Sequence, residues 1–163
     1  MSTPTTASAT DSNASRQVLT FSLGEESYGI DILQVQEIRG WAPVTHIPQS
    51  PPHVLGVLNL RGSIVPIVDL RVRFSLAADF TPLTVIIVIS IQTSSGRKEC
   101  GLVVDSVSDV VDLDASQMRP APALNGSATA GGINGLATLD DRMLILLSVD
   151  DLVGSDLLAA QAA

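Results

Sequence analysis

Cysteine, aromatic residues and positive charge are all scarce in this sequence of 163 residues. The single cysteine, Cys100, cannot form a disulfide within the chain, and no cluster of thiol and imidazole groups offers a zinc site. Aromatic residues make up 3% of the sequence, so its core must be built from Val, Ile, Leu and Ala, which favours β-structure. With one lysine and a net charge of −8, the chain has no basic surface for nucleic acid.

Long hydrophobic runs are also absent. The longest purely aliphatic run, Val85 to Ile89, falls far short of the ~20 residues that a membrane-spanning helix needs. The N-terminus has neither the basic region nor the apolar region of a secretory signal. Together with the lone cysteine, these features predict a soluble, cytoplasmic protein that does not insert into membranes.

Sequence patterns that carry catalysis or ligand binding are missing as well. The chain has no G-x-S-x-G elbow, no Walker loop and no G-x-G-x-x-G pattern. His46 and His53 lie among prolines without a third ligand at a metal-binding spacing, and they fit exposed loop positions. The carboxylate pairs Asp140-Asp141 and Asp150-Asp151 fit turn or helix-capping positions. We therefore expect no catalytic residue, no cofactor and no metal.

The hydrophobic pattern divides the chain into a polar tail and a β-rich body. Residues 1–16 scarcely contain an aliphatic side chain and predict a disordered tail. From Val18 onward, short apolar segments alternate with turn residues, as in strands joined by hairpins. The segments predicted as strands are 18–23, 28–32, 54–60, 64–69, 84–91, 98–104, 106–111, 133–139 and 143–149. A helical turn is predicted at 70–74, a loop at 120–132, and a short helix or frayed tail at 155–163.

An internal repeat is visible when the sequence is compared with itself. A shift of 72 positions places Gly29 on Gly101 and Ile38 on Val110. Each half then holds about five short strands, enough for a small barrel. The repeat predicts two β-barrel lobes of the same plan.

Two charged residues stand out because each is embedded among apolar neighbours. Glu37 lies between Val35 and Ile38, and Arg61 follows Leu60. Such charges are placed to pair across a barrel. The alternative is an ordinary exposed ion pair that contributes little to stability.

Several motifs resemble one known family. Residues 28–40 read YGIDILQVQEIRG and residues 57–73 read VLNLRGSIVPIVDLRVR. They are followed by GLVVDSVSDVV from Gly101, MRPAP from Met118 and DRMLILLSVDDL from Asp141. In order and spacing, these segments resemble the CheW-type coupling proteins of bacterial chemotaxis, over about residues 18–152.

The resemblance implies an all-β fold of two SH3-like five-stranded barrels within residues 17–154. We expect the first lobe at about 30–83 and the second at about 17–29 and 84–154. It also implies a non-enzymatic adaptor that links the cytoplasmic tip of methyl-accepting chemoreceptors to the CheW-like regulatory domain of the chemotaxis histidine kinase. ATP and the phosphoryl chemistry would belong to the kinase.

The same resemblance implies partner contacts at a set of positions in both lobes. They are Val35, Glu37, Ile38, Arg39, Gly56, Asn59, Arg61, Gly62, Val85, Ile86 and Val110. Any of the aliphatic members could instead belong to the core. Two other functions stay open from the sequence: coupling in a non-flagellar chemosensory pathway, and binding of a small ligand between the lobes.

Overall fold

The computed structural model describes residues 16–93, 96–119, 133–139 and 141–152. These residues are mostly in strands, with only short helical segments, so the predicted all-β class is confirmed. The elements are β1 (Arg16–Leu23), β2 (Glu26–Asp31), a 3-10 turn (Ile32–Gln34), β3 (Val35–Gly40), β4 (Val54–Leu60), β5 (Ser63–Asp69), α1 (Leu70–Arg73), β6 (Val85–Thr93), β7 (Gly96–Val104), β8 (Ser106–Leu113), a second 3-10 turn (Ala115–Gln117), β9 (Met118–Arg119), β10 (Ile133–Leu139) and β11 (Arg142–Leu147).

The strands form two sheets that follow the same plan. One sheet has five strands in the order β3-β6-β7-β5-β4, and the other has six in the order β8-β1-β2-β11-β10-β9. Each contains one parallel pair, β5 with β7 and β2 with β11. Gly101 lies opposite Ile67 in the first of these pairs, and Gly29 lies opposite Leu146 in the second. The two glycines that the 72-residue repeat aligns therefore occupy equivalent places in the two sheets.

The two halves of the chain exchange their first hairpins. The β1–β2 hairpin belongs to the sheet of β8, β10 and β11, whereas the β6–β7 hairpin belongs to the sheet of β3, β4 and β5. The prediction that residues 84–104 belong to the second lobe is therefore wrong. The physical reason lies in β7, which pairs with β5 and β6 and is buried from Cys100 to Val104, with Leu102 in the main core and Val103 in the smaller cluster of the five-stranded sheet.

The main core is shared by both sheets. Leu19 and Phe21 of β1 join Ile87 of β6 and Leu102 of β7 in one cluster of buried side chains. Each fully buried aliphatic or aromatic side chain of this kind stabilises the fold by ~1.5–3 kcal/mol. Smaller clusters lie within each sheet, around Val65, Ile67 and Ile86 in the five-stranded sheet and around Val18, Leu113 and Leu144 in the six-stranded sheet.

A few local predictions differ from the structure. β3 was not predicted, because its apolar residues do not alternate: a register shift between Val35 and Glu37 breaks the pattern. The last predicted strand, 143–149, ends at Leu147, where the N–H of Leu152 bonds the carbonyl of Ser148 and the chain turns into a helix at 149–152. The predicted tail at 1–16 was one residue too long, because Arg16 begins β1 and pairs with Leu113 of β8. The rest of that tail, the loop at 120–132 and the C-terminal segment at 155–163 lie outside the described residues.

Candidate functional site

The β4–β5 turn presents Arg61 at the end of the five-stranded sheet. Leu60 and Ser63 pair across the hairpin, leaving Arg61 and Gly62 as its two turn residues. Both have positive φ, 54° and 89°, as in a type I′ turn, whose twist matches that of the strands. The side-chain oxygen of Asn59 accepts the N–H of Gly62 at 2.9 Å and fixes the turn.

Glu37 joins this turn to the opposite end of the same sheet. Nη2 of Arg61 donates to Oε1 of Glu37 at 2.5 Å, and Nη1 of Arg39 donates to Oε2 at 3.3 Å. Because β3 and β4 are the first and last strands of the sheet, this contact links its two edges. The predicted pairing of Glu37 with Arg61 is confirmed.

The two members of the pair differ in exposure, and each shifts the pKa of the other. The side chain of Arg61 is 71% exposed, while that of Glu37 is 26% exposed. The hydrogen bond from Arg61 is the main cause that lowers the pKa of Glu37, and the same bond raises the pKa of Arg61. Glu37 is thereby held as a carboxylate, and the outer face of the Arg61 guanidinium stays available.

Exposed aliphatic side chains lie on the same elements as this ion pair. Ile38 on β3 is 43% exposed and Ile64 on β5 is 63% exposed. Leu33, in the 3-10 turn before β3, is 85% exposed. Of these three residues, only Ile38 was predicted from the sequence as a partner contact. For Ile64 the signal was available, since it alternates in β5 with the buried Val65 and Ile67.

The outer strand of the six-stranded sheet carries an equivalent aliphatic residue. Val110 on β8 is 45% exposed and pairs across the sheet with Leu19. The hydroxyl of Thr20 holds the adjacent bulge, donating to the carbonyl of Asp109 at 2.9 Å and accepting its N–H at 3.1 Å. Val110 therefore occupies on β8 the place that Ile38 occupies on β3, as the repeat predicts.

Other predicted contact residues lie further inside. Ile86 is fully buried in the smaller cluster of the five-stranded sheet, and Gly56 is also buried. A Cβ atom at Gly56 would lie 2.1 Å from the carbonyl oxygen of Thr45. Val35 and Val85 are half-buried against the main core. We therefore leave Ile86 and Gly56 out of the surface proposed below.

The described part of the chain contains neither a metal-binding cluster nor a helix that could span a membrane. Within it, no group of three or more His, Cys, Asp or Glu side chains is placed to hold a metal ion. His46, one of the two loop histidines, is exposed and lies 3.4 Å from the carbonyl of Leu55. No helix among these residues is long and apolar enough to span a bilayer.

A family model for the CheW-like domain matches residues 17–157. The chain belongs to the CheW family. Chemotaxis protein CheW from Klebsiella aerogenes is 46% identical to it over 145 residues, which cover 88% of this chain and 85% of the relative. Chemotaxis protein CheW from Rhizobium meliloti is 34% identical over 145 residues, covering 88% and 91%.

A solved CheW structure has the same fold. The crystal structure of scaffolding protein TtCheW from Thermoanaerobacter tengcongensis matches with a TM-score of 0.73 and 33% identity, covering 82% of this chain and 88% of that one. The predicted family resemblance and the predicted CheW-like fold of two SH3-like lobes are confirmed. As a member of the CheW family, the chain is a chemotaxis scaffold protein and not an enzyme.

Proposed function

We propose that this CheW-family chain couples methyl-accepting chemoreceptors to the chemotaxis histidine kinase, in the cytoplasm at receptor arrays. The observation that carries the proposal is the Glu37–Arg61 pair, with exposed aliphatic side chains at Ile38 and Ile64 on the strands next to it. Exposed aliphatic side chains around a fixed charge pair are typical of a surface that binds another protein.

The charged part of this surface sets the register of binding. Arg61 keeps unused donors on a guanidinium that Glu37 and the tight turn hold in place, so a partner carboxylate meets a preorganised group. Arg39 supports Glu37 from the same strand. The aliphatic residues supply affinity by burial, while the charges select orientation and partner.

Two similar faces suit two partners. Ile38 on β3 and Val110 on β8 are equivalent outer-strand residues of the two sheets and have nearly the same exposure. We assign one face to the CheW-like regulatory domain of the kinase, which is itself a barrel, and the other to the helical tip of the receptor. The half-buried Val35 and Val85 pack against the main core beneath the β3 face.

Calorimetric titration against the kinase regulatory domain from the same organism tests the proposal. The variant is Arg61→Glu, because arginine and glutamate fit the left-handed turn position at residue 61 equally well. The matched control is Arg142→Glu, because Arg142 is an exposed arginine at the start of β11, next to the equivalent hairpin turn of the other sheet. We expect saturable binding by the wild type and the control, and a loss of at least about tenfold in affinity for Arg61→Glu.

Circular dichroism melting of all three proteins separates binding from folding. The proposed surface is refuted if Arg61→Glu melts like the wild type and still binds with wild-type affinity. The proposed partner is refuted if the folded wild type shows no binding at tens of micromolar kinase domain.

A further inference from the structure

A buried arginine lies where the two sheets meet, away from the candidate site. Arg71 in α1 and Asp69 at the end of β5 are the only charged residues buried within the described part of the chain. Nε and Nη2 of Arg71 donate to the two carboxylate oxygens of Asp69, at 2.9 and 3.0 Å. Asp69 also caps α1 by accepting the main-chain N–H of Arg71 at 2.9 Å. This bidentate pair fixes the guanidinium in one orientation.

The remaining terminal nitrogen of Arg71 reaches the other sheet. Nη1 donates to Oδ1 of Asp105 at 3.0 Å, and Asp105 is the residue between β7 and β8, where the chain passes from the five-stranded to the six-stranded sheet. The other oxygen of Asp105 accepts the N–H of Gly24 in the β1–β2 turn at 2.7 Å. The N–H of Asp105 bonds the carbonyl of Ser22 at 3.1 Å. A continuous chain of polar contacts thus runs from β5 to the exchanged β1–β2 hairpin.

Arg71 also holds the long connection between α1 and β6. Nη1 donates to the carbonyl of Asp79, and the carbonyl of Arg71 accepts the N–H of Leu76 at 2.7 Å. The guanidinium carbon lies 4.8 Å from the centre of the Phe80 ring, a cation–π distance. Phe80 in turn packs on Trp41, just after β3, with ring centres 4.4 Å apart. One side chain therefore contacts three separate parts of the fold.

Stability alone is a poor explanation of this cluster. Removing a guanidinium and a carboxylate from water costs several kcal/mol each, and their mutual attraction offsets that cost only when the geometry is good. A well-packed aliphatic side chain often stabilises a core as well as a buried pair does. What an aliphatic side chain cannot supply is a set of directed bonds to Asp69, Asp105 and the carbonyl of Asp79 at once.

We propose that Arg71 is a positioning residue that fixes the five-stranded sheet, the β1–β2 turn and the 74–84 connection in one relative arrangement. The consequence for binding rests on the proposed function: the faces at Ile38 and Val110 lie on different sheets, so Arg71 sets how they are placed relative to each other. Arg71 itself, being fully buried, touches no partner.

Distance measurements between the sheets test this role in the full chain. Spin labels are attached to cysteines introduced at exposed Ser63, beside the β4–β5 turn, and at exposed Asp112 on β8. The native Cys100 is fully buried and is replaced by alanine throughout. The variants are Arg71→Met and Asp105→Asn. The matched control is Asp79→Asn, because Asp79 lines the same groove as Asp105 but bonds Arg71 through its main-chain carbonyl, which the substitution leaves in place.

We expect one narrow distance distribution for the wild type and for Asp79→Asn, and a shifted or broadened one for both variants of the cluster. A merely stabilising role would lower the melting temperature and leave the distribution of the folded protein unchanged, and that result would overturn the proposal. If Arg71→Met does not fold, Asp105→Asn decides alone, since the side chain of Asp105 is 32% exposed and tolerates the change.

A titration of the same proteins with the kinase regulatory domain tests the consequence for binding. We expect Asp105→Asn to bind more weakly than Asp79→Asn, with folding intact in both. Equal affinities would refute the link between Arg71 and the partner faces. If the wild type itself does not bind the kinase domain, the proposed function fails, while the distances still decide whether Arg71 positions the sheets.

Discussion

Replacing Gly56 by alanine tests whether this glycine is a partner contact or a structural requirement. Gly56 lies at a register shift in β4 with φ of 153°, a backbone region that is essentially restricted to glycine. The added Cβ would lie 2.1 Å from the carbonyl oxygen of Thr45, which belongs to the neighbouring segment that approaches β4 at this point. Thr45 and Val57 exchange two main-chain hydrogen bonds of 2.9 Å at this point.

The expected loss of stability is the sum of two costs, broken hydrogen bonds and backbone strain. Moving the Thr45 carbonyl away from the new methyl group breaks both hydrogen bonds, at about 1 kcal/mol each. Holding alanine at this φ costs about 1–3 kcal/mol more. We therefore expect Gly56→Ala to lower the free energy of unfolding by about 3–5 kcal/mol. For a chain of this length, that corresponds to a fall of about 6–20 °C in Tm.

Thermal and urea unfolding followed by circular dichroism measure this loss. The matched control is Gly40→Ala on β3, where a Cβ meets no atom within 4 Å and φ is not positive, so a change within about 0.5 kcal/mol is expected. The reasoning is refuted if Gly56→Ala unfolds at the wild-type midpoint. An unchanged midpoint together with lost kinase binding would instead restore Gly56 as a direct contact.

Two further predictions concern the paired glycines and the ion pair. Gly101→Ala should lower the free energy of unfolding by about 1–3 kcal/mol through overpacking, because its Cβ would lie 2.6 Å from Cδ1 of Ile67. The equivalent Gly29→Ala should lower it less, because its Cβ would meet nothing closer than 3.3 Å. Urea unfolding measures both losses. Equal losses would contradict this account. The lowered pKa of Glu37 means that its pairing with Arg61 is present at neutral pH and is lost as the pH falls through that pKa. In an NMR titration, Arg61→Gln should return the pKa of Glu37 toward its ordinary range, and an unshifted value would refute the assigned cause.

Local features of the fold followed from the sequence, because they depend on neighbours along the chain. The bounds of β4 and β10 were predicted correctly, since their apolar runs end at clear turn residues. The pairing of Glu37 with Arg61 was also predicted, because both charges lie in otherwise apolar segments that a barrel brings together.

The exchange of hairpins could not be predicted in the same way. It depends on parallel pairing of strands far apart in sequence, such as Gly29 with Leu146, and no turn signal joins them. A repeat shows that two halves share a plan, but it is satisfied equally whether each half keeps its own hairpin or exchanges it. The parallel pairing of β7 with β5 decides between these arrangements, and it is visible only in the structure.

Arg61 and Arg71 show why the same sequence signal carries two different roles. Each is an arginine beside an apolar segment; Arg61 pairs with the carboxylate of Glu37, and Arg71 pairs with those of Asp69 and Asp105. Arg61 is mostly exposed, so its pair stays hydrated and contributes little to the fold, and its free donors can exchange water for a partner. Arg71 is fully buried, so it has given up its water on folding and can act only on the groups that surround it. Exposure, which the sequence does not specify, therefore suits Arg61 to the recognition role proposed for it and Arg71 to the positioning role proposed for it.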